Sequence, residues 1–332
     1  MNVGASALAV PGMSPAVAGR LADGLARVEA RLREVVEHDD PFVAAASAHL
    51  VPGGKRLRPM LALLAAQACQ GINEDVVAAA VGVELTHLAS LYHDDVMDEA
   101  AVRHGAPSAH AAYGNSTAIL VGDLLFGRAS EIVAGLGAEA VRIQASTFVR
   151  LCAGQIRDAR PCPVGTDPVD YYLQVLADKT GALIATAARY GAMFSGGDAA
   201  AVEALGEYGE RLGVAFQLAD DIIDIASDSS QSGKTPGTDL REGVDTLAVL
   251  HAKASTDPAD ARLRALVAGP ITDPEAHAEA LALLRAHPAL GRAREHARAV
   301  GGEALAALRR LPAGEAADAL AALVGSVVDR VG

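Results

Sequence analysis

Glu84-Leu-Thr-His87-Leu-Ala89-Ser90-Leu-Tyr92-His93-Asp94-Asp95-Val-Met-Asp98 is the stretch from which the rest of the chain can be read. Leu85, Leu88, Leu91 and Tyr92 recur at three- and four-residue steps, the period of a buried helix. Onto that helix the sequence sets Asp at i, i+1 and i+4. Asp is a poor mid-helix residue, and like charges one turn apart destabilise a helix by roughly 0.2–0.5 kcal/mol per pair. Something positive must therefore offset the acidic end. The same spacing returns in Phe216-Gln217-Leu-Ala-Asp220-Asp221-Ile-Ile-Asp224-Ile225. One such cluster reads as a solvated acidic face; two of identical spacing, each inside an apolar helical stretch, do not. Facing each other across a cavity, they would form a cage for hard divalent cations.

Outward from the two clusters, the chain reads as helix throughout. Ser14-Pro15, Asp40-Pro41 and Asp167-Pro168 each place a capping residue before a Pro at the first helical position. The first helix runs to about His38, with Leu21, Leu25, Val28, Leu32 and Val35 on one face. Further helices are expected from Asp40 to the Pro52-Gly53-Gly54 stop, from Pro59 to Gly71, and from Asp75 through the first cluster. Val102–Pro107 is expected as a polar loop and Ser108–Tyr113 as a helical turn. Apolar helices follow over about Thr117–Leu136 and Ala138–Ile156. After Asp167-Pro168 the helical pattern is interrupted by a polar kink at Lys179-Thr180-Gly181. Asp198–Ala226 is a long helix ending in the second cluster. Ser227–Gly243 is a Ser/Gly/Asp-rich loop too long to be a mere connector. Helices over about Asp273–His287 and Ala289–Leu311, and one after Pro312, complete the chain.

Composition agrees. The 332 residues are 51% hydrophobic and Ala-rich, without runs of alternating β-branched residues. The expectation is all-α: one helical domain of ten or more helices over residues 14–332, behind a disordered leader over 1–13. Formal charge of −13 makes nucleic acid an unlikely general partner. No uninterrupted apolar run reaches the roughly 18 residues that span a bilayer, so no stable membrane insertion is expected. Cys69, Cys152 and Cys162 show no C-x-x-C pairing and suit reduced thiols in a cytoplasmic protein.

Within each cluster the first and third Asp share a helical face and the second lies about 100° round. All-carboxylate ligation suits Mg²⁺, which commonly keeps waters and substrate phosphates in its octahedron. The chemistry implied is a metal bridging protein carboxylates to a diphosphate and stabilising the charge on leaving pyrophosphate. Gly53-Gly54-Lys55-Arg56-Leu57-Arg58-Pro59 sets a flexible turn and three cations before a helix N-terminus, a site for a second phosphate or simply a solvated basic turn. Arg103 and Lys234 follow the two clusters as further cations. His87 shares the face of Asp94, although a lone helical His is more often a core residue. Gly233-Lys234-Thr235 imitates the end of a P-loop but lacks the earlier Gly, and Glu84-x-x-His87 has no second copy to make a di-iron site.

Taken together, Gly-Gly-Lys55-Arg-Leu-Arg58-Pro, Asp94-Asp95-x-x-Asp98, Gly154-Gln155, Lys179-Thr180, Gln217-x-x-Asp220-Asp221-x-x-Asp224 and Gly233-Lys234 resemble the trans-isoprenyl diphosphate synthases, the polyprenyl synthetase family. The resemblance covers nearly the whole chain after the leader. It implies an all-α bundle around a central cavity, usually a homodimer, that uses Mg²⁺ to condense an allylic prenyl diphosphate with isopentenyl diphosphate. Asp94, Asp98 and Asp220 would carry most of the metal ligation, supported by Asp95, Asp221 and Asp224. Arg103, Lys179 and Lys234 would hold the allylic diphosphate. Lys55, Arg58 and His87 would hold isopentenyl diphosphate, with Gln155 also in the substrate site. Thr180 and Gln217 would lie beside the developing allylic cation. His104 stands where many members have a second Arg, which implies weaker isopentenyl diphosphate binding. Val244 and Ala248 replace a common Lys and Pro.

Ala89 and Ser90 lie one turn deeper than Asp94, where short-chain members commonly carry an aromatic. Small residues there imply products beyond farnesyl, geranylgeranyl or longer. A terpene cyclase shares the metal chemistry, but 5 Phe, 6 Tyr and no Trp are a thin supply for a carbocation cavity. A regulatory subunit of a two-component synthase would not need all six carboxylates.

Overall fold

The computed structural model describes residue 10 and residues 12–103, 105–227 and 236–331. Most of the expected leader, His104, Lys234 and the middle of the Ser227–Gly243 segment lie outside the described residues.

The helices start where capping chemistry dictates. Helix α1 (Pro15–Val35) is capped by Ser14, whose side chain accepts from the Val17 amide. Helix α2 (Pro41–Ala48) is capped by Asp40, which accepts from Phe42 and Val43. Then come α3 (Leu57–Gln67), α4 (Glu74–Met97), α5 (Ala109–Tyr113), α6 (Asn115–Gly135), α7 (Ala138–Asp158) and α8 (Pro168–Leu176). A π-helical turn, Ala177–Gly181, leads into α9 (Ala182–Phe194), followed by α10 (Ala199–Ala226). The remainder is α11 (Thr238–Glu242), α12 (Leu247–Lys253), α13 (Ala261–Leu266), α14 (Pro274–Ala286), α15 (Pro288–Leu308) and α16 (Glu315–Val328). The all-α expectation holds, with two local corrections. Val102–Pro107 is not a plain loop but a two-residue-per-strand hairpin, β1 (Val102–Arg103) antiparallel to β2 (Ala106–Pro107). The end of the Ser227–Gly243 segment folds into α11, capped at both ends by glycines in the left-handed region.

The chain divides into two compact units interleaved in sequence. The first comprises residues 1–149, 183–209 and 307–322. Its centre is α4, apolar on nearly every side and packed by α1, α3 and α6. By length and composition alone α4 could cross a bilayer, but 78% of its most apolar window is buried inside the protein. Such all-round hydrophobicity marks a core helix. The second unit comprises residues 150–182, 210–306 and 323–332. There α12 packs on α8, α13 and α14, and α11 on α14.

Candidate active site

In the first unit the acidic motif occupies the C-terminal turn of α4. That turn contains no basic residue, although a helix C-terminus carries partial negative charge and favours cations. Three carboxylates there are thus uncompensated by their own helix. The middle one, Asp95, is fully buried: it accepts from Arg103 Nε at 2.7 Å and from the Ala109 amide at 2.8 Å. It thereby ties the β1 strand and the start of α5 to the end of α4. Asp94 is half-buried and Asp98, the C-cap, is exposed. The preceding His93 joins α4 to α6, its Nε2 lying 3.1 Å from the Ile119 carbonyl and 3.4 Å from Asp123 Oδ1. Gly122 is what lets the ring in: a Cβ there would stand 2.4 Å from His93 Nε2.

Of the three cations at the start of α3, Lys55 and the N-cap Arg56 precede the helix and Arg58 lies in its first turn, and the structure separates their roles. Arg56 takes a left-handed backbone (φ 51°) and is buried, bonded to Glu29 at 2.6 Å, Glu84 at 2.9 Å and the Gly53 and Val51 carbonyls. It is a bracket for the loop. Lys55 is exposed at the rim of a cleft of about 540 Å³ lined by Leu25, Val36, Ala44 and Ala48. Arg58 is half-buried with an Nε that has no hydrogen-bond partner; burial pushes its guanidinium below the ordinary value, with nearby Glu84 opposing. Glu84 itself is pushed up by burial, against the pull of Arg56 and Arg58. His87 is half-buried, and its carbonyl accepts from Ser90 Oγ at 2.7 Å.

The second unit holds the other motif at the end of α10, and its carboxylates are engaged differently. Asp221 accepts from the Tyr172 hydroxyl and from Gln217 Nε2 at 2.9 Å. Burial pushes its carboxyl up to about 6, opposed by those two bonds and aided by Asp220 and Asp224. Asp224 accepts from the Thr238 and Asp239 amides, both at 3.2 Å, and so anchors the N-terminus of α11. Asp220 lies 3.4 Å from Arg330, whose guanidinium also stands 5.9 Å from the Phe216 ring centroid. Lys179 and Thr180 sit half-buried on the π turn, Lys179 paired with Asp158 at 2.6 Å. Gln155 lies half-buried on α7 beside Gly154.

The structure thus joins Asp95 to Arg103 and Asp221 to Gln217 among the expected site residues. Tyr172 and Arg330 are additions that spacing could not reveal, because each meets its partner across long sequence separation. The donor set is all carboxylate oxygen, which fits a hard divalent cation. Among the described residues no three His, Cys, Asp or Glu side chains gather to hold an ion unaided. One or two carboxylates completed by phosphate oxygens and water is the usual Mg²⁺ arrangement.

The family model for polyprenyl synthetase matches residues 40–284. The chain is 48% identical over 313 residues to nonaprenyl diphosphate synthase of Mycobacterium tuberculosis, covering 93% of each protein. It is 39% identical over 257 residues to component 2 of heptaprenyl diphosphate synthase of Geobacillus stearothermophilus, covering 76% of this chain and 79% of that one. Its fold is similar to the crystal structure of geranylgeranyl pyrophosphate synthase from Corynebacterium glutamicum complexed with calcium and isoprenyl diphosphate. That match has a TM-score of 0.88 and 41% identity, covering 96% of this chain and 98% of that one. The motifs, the all-α fold and these likenesses agree: the chain belongs to the polyprenyl synthetase family and is a prenyltransferase that elongates prenyl diphosphates.

Proposed function

We propose that this enzyme condenses an allylic prenyl diphosphate with isopentenyl diphosphate, with Mg²⁺, to give geranylgeranyl diphosphate or a longer chain. The observation that carries the reading is the acidic end of α4: three carboxylates at the negative pole of a helix, with no basic residue in that turn. A divalent cation bound there supplies positive charge to the leaving pyrophosphate. The calcium in the Corynebacterium relative's structure supports a divalent site.

The residues' own tasks follow. Asp94 and Asp98, and Asp220 from the second motif, ligate metal. Asp95 keeps Arg103 in place through Nε, which reserves the terminal guanidinium nitrogens for phosphate oxygens. Lys179 and Lys234 complete the allylic diphosphate site, while Lys55, Arg58 and His87 bind isopentenyl diphosphate, with His104 and Gln155 alongside. Gln217 donates its Nε2 to Asp221, so its carbonyl oxygen is the end left to face a developing allylic cation, next to Thr180. No side chain serves as nucleophile; positioning and charge stabilisation lower the barrier.

On this reading the small side chains of Ala89 and Ser90 would leave room for a long tail below the first motif. The nonaprenyl relative supports a long product. Purified protein with Mg²⁺, isopentenyl diphosphate and each allylic primer should yield chains of geranylgeranyl length or beyond; farnesyl diphosphate alone would overturn the length assignment. The component 2 relative raises a second reading, in which a partner subunit is required. Elongation by the purified chain alone excludes it.

For assembly we propose a homodimer in the cytoplasm. The surface would be the exposed apolar side chains of α6 and α7: Ile119, Leu120, Val141, Phe148 and Val149. Phe126 and Phe148 meet there at 4.5 Å between ring centroids. Leu120→Glu should shift the protein from dimer to monomer in light scattering.

A further inference from the structure

Lys179 and Thr180 lie on a π turn set into what is otherwise one helix from Pro168 to Phe194. In it the Ala182 amide bonds to the Ala177 carbonyl, five residues back. Such turns are rare and cluster at functional sites. What holds this one is a single face of α7, whose Arg150, Gly154, Arg157 and Asp158 recur at helical spacing. Arg150 Nε donates to Asp178 Oδ1 at 2.8 Å, and Arg157 Nη1 donates to Asp178 Oδ2 at 2.6 Å. Gln174 Nε2 adds a third bond to Asp178 at 2.9 Å, from within the same helix. Between the two arginines, Gly154 lets the α7 backbone touch the turn: a Cβ would stand 2.7 Å from the Lys179 amide nitrogen. Beyond them, Asp158 takes the Lys179 ammonium.

Asp178 is buried, with 5% of its surface exposed. A bare carboxylate next to a diphosphate ligand would repel the substrate. Here Asp178 and Glu210 face Arg150 and Arg157, so the charges balance, and among the described residues Lys179 pairs with the more exposed Asp158. In a regular helix the side chains beyond the turn would lie about 100°, one residue's rotation, out of this register.

We propose that Asp178 is a positioning residue for the allylic diphosphate: gripped by Arg150 and Arg157, it locks the π turn in the register that presents Lys179 and Thr180. The inference rests on the reading of Lys179 as an allylic-diphosphate ligand. It is tested by steady-state kinetics of the full-length enzyme with Mg²⁺, varying allylic primer and isopentenyl diphosphate separately, with Lys179→Ala as reference. Asp178→Asn should raise KM for the primer about tenfold and leave KM for isopentenyl diphosphate within twofold, and Asp178→Glu should recover most of the loss. A carboxylate that only stabilised the fold would lower the active fraction and leave both KM values alone. If Asp178→Asn does not fold, Arg157→Gln replaces it, with about a threefold rise in primer KM expected. An unchanged primer KM in the folded variant, beside a Lys179→Ala enzyme that has lost primer affinity, overturns the positioning role and leaves the Lys179 reading intact. An unchanged primer KM in Lys179→Ala overturns both.

Discussion

The two acidic motifs share one spacing and divide their labour differently. At the end of α4, the middle carboxylate is answered by a full positive charge and a backbone amide. At the end of α10, the middle carboxylate is answered by two neutral donors, Tyr172 and Gln217, and its pKa rises to about 6. The third positions differ too: Asp98 is an exposed C-cap, whereas Asp224 holds the first amides of α11. Identical sequence patterns therefore do not imply identical electrostatics. The pattern fixes where carboxylates sit on each helix, and the surroundings decide which of them are structural.

The largest contrast should appear at the middle positions. Asp95→Ala leaves Arg103 without its counter-ion and the Ala109 amide without an acceptor in a buried place. Breaking a buried pair in this way costs about 3 kcal/mol, read as a lower urea midpoint. Asp221→Asn keeps an acceptor for Tyr172 and removes a charge that burial already disfavours, so a loss of about 1 kcal/mol or less is expected. Equal losses would erase the distinction drawn between the motifs.

The third positions should invert the usual link between activity and stability. Asp98→Ala should abolish most elongation yet leave the urea midpoint within about 0.5 kcal/mol of wild type, as for an exposed substitution. Asp224→Ala should lower stability by about 1 kcal/mol, the worth of a lost helix cap. A cap effect at Asp98 instead would mean the roles are exchanged.

A pH test sharpens the same comparison in metal-free protein. Asp221 has a folded pKa raised above its unfolded value, to about 6. Its contribution to stability is thus fully present below the unfolded pKa, near pH 4, and is lost as pH rises through about 6. Subtracting the stability profile of Asp221→Asn from that of wild type in chelator should isolate a difference that changes over that window. A flat difference would show that the carboxylate is solvated.

How much of this was visible in the chain follows from range. The caps at Ser14, Asp40 and Asp167, and both Asp motifs, are local and were legible. The hairpin at Val102–Pro107 was not, because two residues per strand carry no period. Helices α11, α12 and α13 are five to seven residues long, too short for a helical repeat to emerge. The polar kink at Lys179 is legible in the chain, but the close approach of Gly154 on α7 to the backbone of Asp178 and Lys179 is long-range, and no spacing encodes it. Arg56 and Arg58 look alike in sequence; the left-handed backbone at Arg56 and its contacts with Glu29 and Glu84 mark it as the bracket, while Arg58 keeps an unpartnered Nε.

The smallest effect concerns Arg330, which reaches Asp220 from the far end of the chain. Its guanidinium lies 3.4 Å from the carboxylate, with 36% and 42% of the two side chains exposed. Pairs this open contribute about 0.2–1 kcal/mol and are screened by salt, so Arg330→Ala should shift the urea midpoint only slightly. Its effect on metal should be readable nonetheless. If Asp220 ligates the metal as proposed, Arg330 and a divalent cation compete for one carboxylate, so removing the arginine should lower the Mg²⁺ concentration for half-maximal activity by about twofold at low salt. The shift should vanish at high ionic strength, where the ion pair is already screened. An increased Mg²⁺ requirement would mean that Arg330 steadies Asp220 for the metal, and the second motif would then depend on a charged partner just as the first does.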